Sequence, residues 1–146
     1  MRVFLDANIL FSAAWKEGAD AALLFELAAA GFCELTTSRL AVEEARRNIA
    51  QKRPARQPAL ERLVGQTRIG KEPAETHLAV ARQHGLPDKD IPILAAAVAQ
   101  EAHLLVTGDR RDFGHLYDSS PGEVQVIDLR GAIERVLAAS DSIHRQ

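Results

Sequence analysis

Two short apolar runs, each ending in an aspartate, constrain this chain more than anything else in it. Val3, Phe4 and Leu5 stop at Asp6, and Leu104 to Thr107 stop at Gly108–Asp109. The second run has no polar alternation and reads as a strand buried on both faces. The first reads as a buried strand that delivers a carboxylate, and two places later the amide of Asn8, at its C-terminal end. Strands of this kind need helices against them. The segments between the runs supply helices in alternation with further strands, so the predicted fold is a three-layer α/β/α sandwich around a mainly parallel sheet.

The remaining elements follow from local signals. A helical turn is expected from Ser12 to Trp15, broken by Gly18, and a helix from Ala19 to Ala30 with Gly31 behind it as C-cap. Phe32–Thr37 is a strand by composition. Thr37 or Ser38 can cap the next helix, about Leu40–Ala50. Lys52–Pro58 is a Pro- and Arg-rich loop. Pro58–Gly65 is a short helix, Thr67–Gly70 a weak strand, and Glu72–Gly85 a helix with Pro73 near its first turn. Ile91 precedes Pro92 and is pushed from the α region, so the next helix is expected from Pro92 to about Ala102. Phe113–Tyr117 is a loop or short turn, Val124–Ile127 the last strand and Leu129–Ala139 the last helix. Residues 1–139 are expected to form a single domain, with 140–146 a fraying tail.

Apolar residues make up 47% of the chain, enough for a substantial core. The formal net charge of -2 means that no global positive field attracts nucleic acid, so an anionic partner has to be held by a local basic patch or through metal. Cys33 is the only cysteine, which excludes an internal disulfide and a cysteine-based metal site; beside Phe32 and Leu35 it reads as a small core residue. Asp6 interrupts the first apolar run, so no signal peptide is read there. Ala21–Phe32 contains Glu26 and is too short to span a membrane. The expectation is a soluble, cytoplasmic protein.

Ligands of an open parallel sheet bind at the C-terminal ends of its strands. If the two aspartate-ended strands are neighbours, Asp6 and Asp109 share one edge, and Gly108 helps the backbone turn to aim Asp109 over it. Asp90 lies just before the Pro92 helix, and Glu44 about a turn into the helix after the second strand. Four carboxylates on one rim repel one another unless a cation sits among them. An all-oxygen site suits Mg²⁺ or Mn²⁺ rather than zinc. Such metals orient and deprotonate a water and neutralise charge in phosphodiester hydrolysis.

The segments FLDANIL, TSRLAVEEARRNIA, LPDKDIPILAAAVA and LLVTGDRRDF, in that order, resemble a PIN-domain ribonuclease, and within that family the VapC-type toxin nucleases of bacterial type II toxin–antitoxin pairs. The resemblance spans about Met1 to Leu137, and its specificity lies in order and spacing rather than in any one motif. It implies that Asp6, Glu44, Asp90 and Asp109 are the catalytic, metal-holding acids. Glu43 competes with Glu44, and the distance from Ser38 favours Glu44. Asp112 stands where many members keep a further acid and is an additional candidate ligand. Asn8 takes the usual polar place after the first acid and, with Arg110 and Arg111, is a candidate for substrate contact. The implied activity is metal-dependent endoribonuclease cleavage leaving a 5′-phosphate and a 3′-hydroxyl. The implied partners are RNA, an antitoxin protein and a second copy in a homodimer.

Each acid also has an ordinary structural explanation. Asp6 can cap or turn the chain, Gly108–Asp109 is a common turn pair, and Asp90 can start a helix. Glu43 and Glu44 can form a solvated face with Arg46 and Arg47. One metal site accounts for all four positions more economically. Arg110 and Arg111 flank Asp109 and are candidates for substrate phosphate. The run Arg46, Arg47, Lys52, Arg53 and Arg56 could steer RNA or be an ordinary solvated loop. Trp15 and Tyr117 could stack on bases. The five histidines show no ligand spacing. Two other functions remain: a non-catalytic RNA-binding domain on the PIN fold, and an aspartate-based phosphatase. The phosphatase needs an acid where this chain has Asn8.

Overall fold

The computed structural model describes residues 1–144. Its centre is a five-stranded sheet formed by β1 (Arg2–Leu5), β2 (Glu34–Thr37), β3 (Arg68–Ile69), β4 (Leu104–Val106) and β5 (Gln125–Ile127). The spatial order is β3-β2-β1-β4-β5, and every pairing is parallel. The two aspartate-ended strands are therefore neighbours, with Val3 opposite Leu104 and Leu5 opposite Val106. Val3, Phe4, Leu5, Leu104, Leu105 and Val106 have no exposed surface, as strands covered on both faces require.

Parallel crossovers are right-handed. The β1→β2 and β2→β3 connections thus lie on one face, and β3→β4 returns on the other. The first face carries α1 (Ala7–Trp15), α2 (Ala22–Ala29), α3 (Arg39–Lys52) and α4 (Gln57–Val64), with α1 packed on both α3 and α4. The return carries α5 (Glu75–Ala81) and α6 (Ile91–Ala99), packed on each other. A single turn, α7 (Arg110–Phe113), links β4 to β5, and α8 (Leu129–His144) closes the described chain against α2 and β4. The chain reverses direction across the sheet between β1 and β4, and a crevice opens outside the strand ends at such a point.

Several boundaries differ from expectation for identifiable reasons. Helix α1 begins at Ala7 rather than Ser12, because the Asp6 side chain accepts the Ala7 N–H at 2.7 Å and caps the helix at once. Ser38, not Thr37, caps α3 by accepting from the Ala41 N–H at 3.2 Å. Helix α6 includes Ile91, so the proline at its second position does not delay its start. Helix α2 starts at Ala22, and the sequence before it forms turns. Pro54–Arg56 forms a 3-10 turn leading directly into α4. Helix α8 continues past Ala139 to His144, while Arg145 and Gln146 lie outside the described residues. Cys33 is half-buried beside the core rather than inside it.

The basic run is committed to packing. Arg46 forms a forked pair with Glu61 on α4, at 3.0 and 2.7 Å. Arg53 donates to the carbonyl of Trp15 at 2.6 Å and lies over the Trp15 ring. Arg56 donates to the carbonyl of Ala14 at 2.7 Å. Two guanidinium groups therefore meet the unpaired carbonyls at the C-terminus of α1, where the helix dipole favours positive charge. Lys52 lies over the Phe11 ring. Arg47 alone of the five has neither a side-chain hydrogen bond, an ion pair nor a ring contact among the described residues.

Candidate metal centre

Asp6 ends β1 and is only 4% exposed. Its Oδ1 caps α1, and its Oδ2 accepts from the Thr107 hydroxyl at 2.8 Å and from the Asn8 amide at 3.2 Å. Thr107, the first residue beyond β4, also accepts from the Asp109 N–H at 3.1 Å. The Asn8 carbonyl oxygen accepts the Gly108 N–H at 2.7 Å. Asn8 and Thr107 thus stitch the end of β1 to the turn after β4. Gly108 has no left-handed φ, contrary to the expectation of a special turn. A Cβ there would meet Asn8 Oδ1 at 3.4 Å, so the glycine serves a close approach.

Asp109 caps α7, its Oδ1 accepting the Asp112 N–H at 3.0 Å. This single turn carries Asp112 back towards Asp90. Oxygens of Asp90, Asp109 and Asp112 all lie within 4.8 Å of one another. Asp112, an additional candidate in the sequence, is therefore central to the tightest acidic group among the described residues.

Asp90 departs most clearly from an ordinary helix-start acid. It precedes α6 but makes no side-chain cap bond, and it is 8% exposed. Its Oδ2 is buried without a hydrogen-bond partner. A carboxylate oxygen out of water with no donor is costly, and proton uptake or a cation relieves it. Burial, then the Asp112 carboxyl, push the Asp90 acid up to about 7, against the pull of Lys89. The Asp90 and Lys89 contacts hold Asp112 below its ordinary value.

Asp6 and Glu44 stand outside the tight triad but within its field. Asp6 is pushed up to about 6, chiefly by burial, with the charges of Glu44 and Asp109 adding. Its hydrogen bonds from Thr107 and Ala7 oppose this shift. Asp90 in turn feels the charge of Asp6. Glu44 makes no side-chain hydrogen bond or ion pair among the described residues. Glu43, one residue earlier, pairs with Arg39 at 2.9 Å. Of the two glutamates it is Glu44 whose charge acts on Asp6.

The arginines divide as well. Arg110 turns to Asp128 at 3.7 Å and covers the Tyr117 ring at 5.8 Å. Tyr117 donates to the Thr107 carbonyl at 2.8 Å. Arg111 is exposed and its guanidinium has no partner among the described residues. Trp15 packs on Phe11 at 5.3 Å, in the helix-end clamp made by Arg53.

An all-carboxylate donor set with an orphaned buried oxygen fits a hard divalent cation such as Mg²⁺ or Mn²⁺. Asp90, Asp109 and Asp112 could each give one oxygen to it, with Asp6 and Glu44 beside them. Sequence reading missed Thr107, which orients Asp6, and Lys89, which sits on the acids. Thr107 carried a usable signal, as the last polar residue of an aspartate-ended strand. Lys89 carried none.

The family model of the PIN domain matches residues 2–111. No curated protein sequence matches the chain. Solved structures do match it in fold. VapBC2 from Rickettsia felis, bound to a DNA fragment from its promoter, shares 19% identity at a TM-score of 0.68, over 88% of this chain and 98% of that one. PAE2754 from Pyrobaculum aerophilum shares 18% identity at a TM-score of 0.67, over 94% of this chain and 96% of that one. VapBC-1 from nontypeable Haemophilus influenzae shares 16% at 0.59, over 89% and 99%.

Proposed function

The chain belongs to the PIN-domain family, and on that premise we propose that it is a metal-dependent endoribonuclease, the toxin of a toxin–antitoxin pair. The observation that carries this reading is the buried Oδ2 of Asp90, without a hydrogen-bond donor, inside a group of three carboxylates. Residues 1–139 act as one PIN-like domain, with Asp6, Glu44, Asp90 and Asp109 as the catalytic acids and Asp112 as a further ligand. Bound there, Mg²⁺ or Mn²⁺ supplies an acidified water and charge neutralisation at the scissile phosphate.

The chain's own residues do the rest. Thr107 and Asn8 fix the Asp6 carboxylate by hydrogen bonds, so little reorganisation is left at the moment of reaction. The turn Thr107–Asp109 and helix α7 set Asp109 and Asp112 at a fixed spacing. Arg111, exposed at the rim, contacts a substrate phosphate, and Arg110 supports it from the Tyr117 side. RNA is the substrate because the family resemblance implies it. The structural relatives described as VapBC complexes support a protein antitoxin as partner. A homodimer is part of the same proposal. No helix among the described residues is long and apolar enough to cross a membrane.

The test is cleavage of an end-labelled structured RNA with Mg²⁺ or Mn²⁺, with chelator, and with Asp6→Asn and Asp109→Asn. The expected result is cleavage by the wild type alone and only with metal. Activity that persists in chelator, or survives both substitutions, overturns the nuclease reading. Metal uptake and RNA binding without cleavage would instead identify a non-catalytic RNA-binding domain.

A further inference from the structure

We propose that Lys89 is a tethered counter-cation of the carboxylate centre, one that a divalent ion must displace from Asp112 in order to bind. The inference rests on the metal reading given above and concerns what holds the same oxygens before metal arrives. The Lys89 ammonium lies 3.1 Å from Asp112 Oδ2 and 3.9 Å from Asp90 Oδ2. Asp90 and Asp112 belong to the group whose oxygens converge within 4.8 Å. Both carboxylates are largely buried, at 11% and 12% side-chain exposure, whereas the lysine is 69% exposed. The ammonium therefore caps the outer side of a buried acidic pair while most of its stem stays in water.

Among the described residues no other lysine or arginine pairs with these acids. Arg110, the nearest in sequence to Asp109, is directed to Asp128 and Tyr117. Arg111 pairs with no acid. Lys89 is covalently adjacent to Asp90, so its ammonium is present at an effective concentration on the order of millimolar or above. It is also a compact, hydrated point charge on a flexible stem, able to leave without disturbing the backbone. A divalent ion carries twice the charge and demands the same oxygens, so the two compete. Lys89 thereby lowers metal affinity while screening the repulsion among the acids of the metal-free protein.

Mn²⁺ affinity is measured by isothermal titration calorimetry on the intact chain, for the wild type, Lys89→Met and Arg111→Met. Thermal unfolding is followed in parallel, in chelator and in saturating Mn²⁺. Lys89→Met is expected to tighten Mn²⁺ binding by about tenfold, the scale of one well-placed ion pair at the edge of burial. It is also expected to lower the melting temperature in chelator, and the difference should vanish at saturating Mn²⁺. Arg111→Met should change Mn²⁺ affinity much less. An unchanged or weaker affinity in Lys89→Met overturns the inference while leaving the metal centre intact. Equal tightening in Arg111→Met also overturns it, because the effect is then the general field. Wild type that takes up no Mn²⁺ removes the metal reading itself, and the inference with it.

Discussion

The acidic rim and the basic run are both dense in charge, yet the fold treats them in opposite ways. At the end of α3 and the turn after it, Arg46, Arg53 and Arg56 each find a carboxylate or a helix-end carbonyl, and Lys52 finds an aromatic ring. At the C-terminal ends of β1 and β4, Asp90 keeps an oxygen without a donor and Glu44 keeps its carboxylate unpaired among the described residues. Folding gives the first group partners within the packed chain and leaves the second with one exposed cation, Lys89, at its outer side. Charge that the chain itself neutralises serves stability; charge held out of water with so little compensation marks the candidate site.

The sharpest way to break this contrast is to neutralise one acid. Asp90→Asn is expected to cut RNA cleavage by about 10²- to 10³-fold, the scale of losing one preorganised electrostatic group. The same change should leave the metal-free protein at least as stable as the wild type, since it removes repulsion; thermal unfolding in chelator checks this. Loss of fold in Asp90→Asn would place that carboxylate with the structural charges.

Next in size is a pH effect. The Asp6 acid lies near 6 in the folded chain against an ordinary 3.8. The folded state therefore binds more protons than the unfolded one, and its stability falls as pH rises from about 4 through the folded value. Asp6 alone corresponds to about 3 kcal/mol. Asp90, raised to about 7, acts in the same direction at slightly higher pH, while the lowered acid of Asp112 alters stability only below about 4, outside this window. Urea unfolding in chelator at pH 5 and pH 8 should show the more acidic sample to be more stable, and saturating Mn²⁺ should close the gap at pH 8. A metal-free protein more stable at pH 8 would mean these carboxylates are at ease without a cation.

The basic end should respond in stability alone. Arg56→Ala strips a donor from the C-terminus of α1 and is expected to cost about 1.5–2 kcal/mol by chemical denaturation, with cleavage retained per folded molecule. Arg46→Ala, which opens an exposed pair with Glu61, should cost under about 1 kcal/mol. Were either to weaken RNA binding steeply without loss of stability, the basic run would belong to the functional surface after all.

Much of this organisation is legible in the sequence, for physical reasons. Apolar runs of three or four residues ending in aspartate read as buried strands, and their pairing, left open by the sequence, is given by the sheet order. The edge carrying Asp6 and Asp109 follows in turn. The role of the basic residues was not legible. A guanidinium that caps a helix 40 or so positions away in sequence looks like any other loop arginine, as Arg56 and Ala14 show. The start of α1 is hidden in the sequence because Asp6 is at once a helix cap and a buried acid, and residue type alone does not show that one side chain does both. Its two oxygens are divided between the tasks. The distance from Ser38 favours Glu44 over Glu43, and the pairing of Glu43 with Arg39 could not be read from the sequence.

The bond from Thr107 to Asp6 joins positions 101 residues apart. During synthesis β1, β2 and β3 all leave the ribosome before β4, which must then insert beside β1. Until that insertion Asp6 lacks its Thr107 partner, and Asp109 and Asp112 are not yet part of any surface. The carboxylate group is thus completed only once β4 and the turn after it have joined the sheet beside β1.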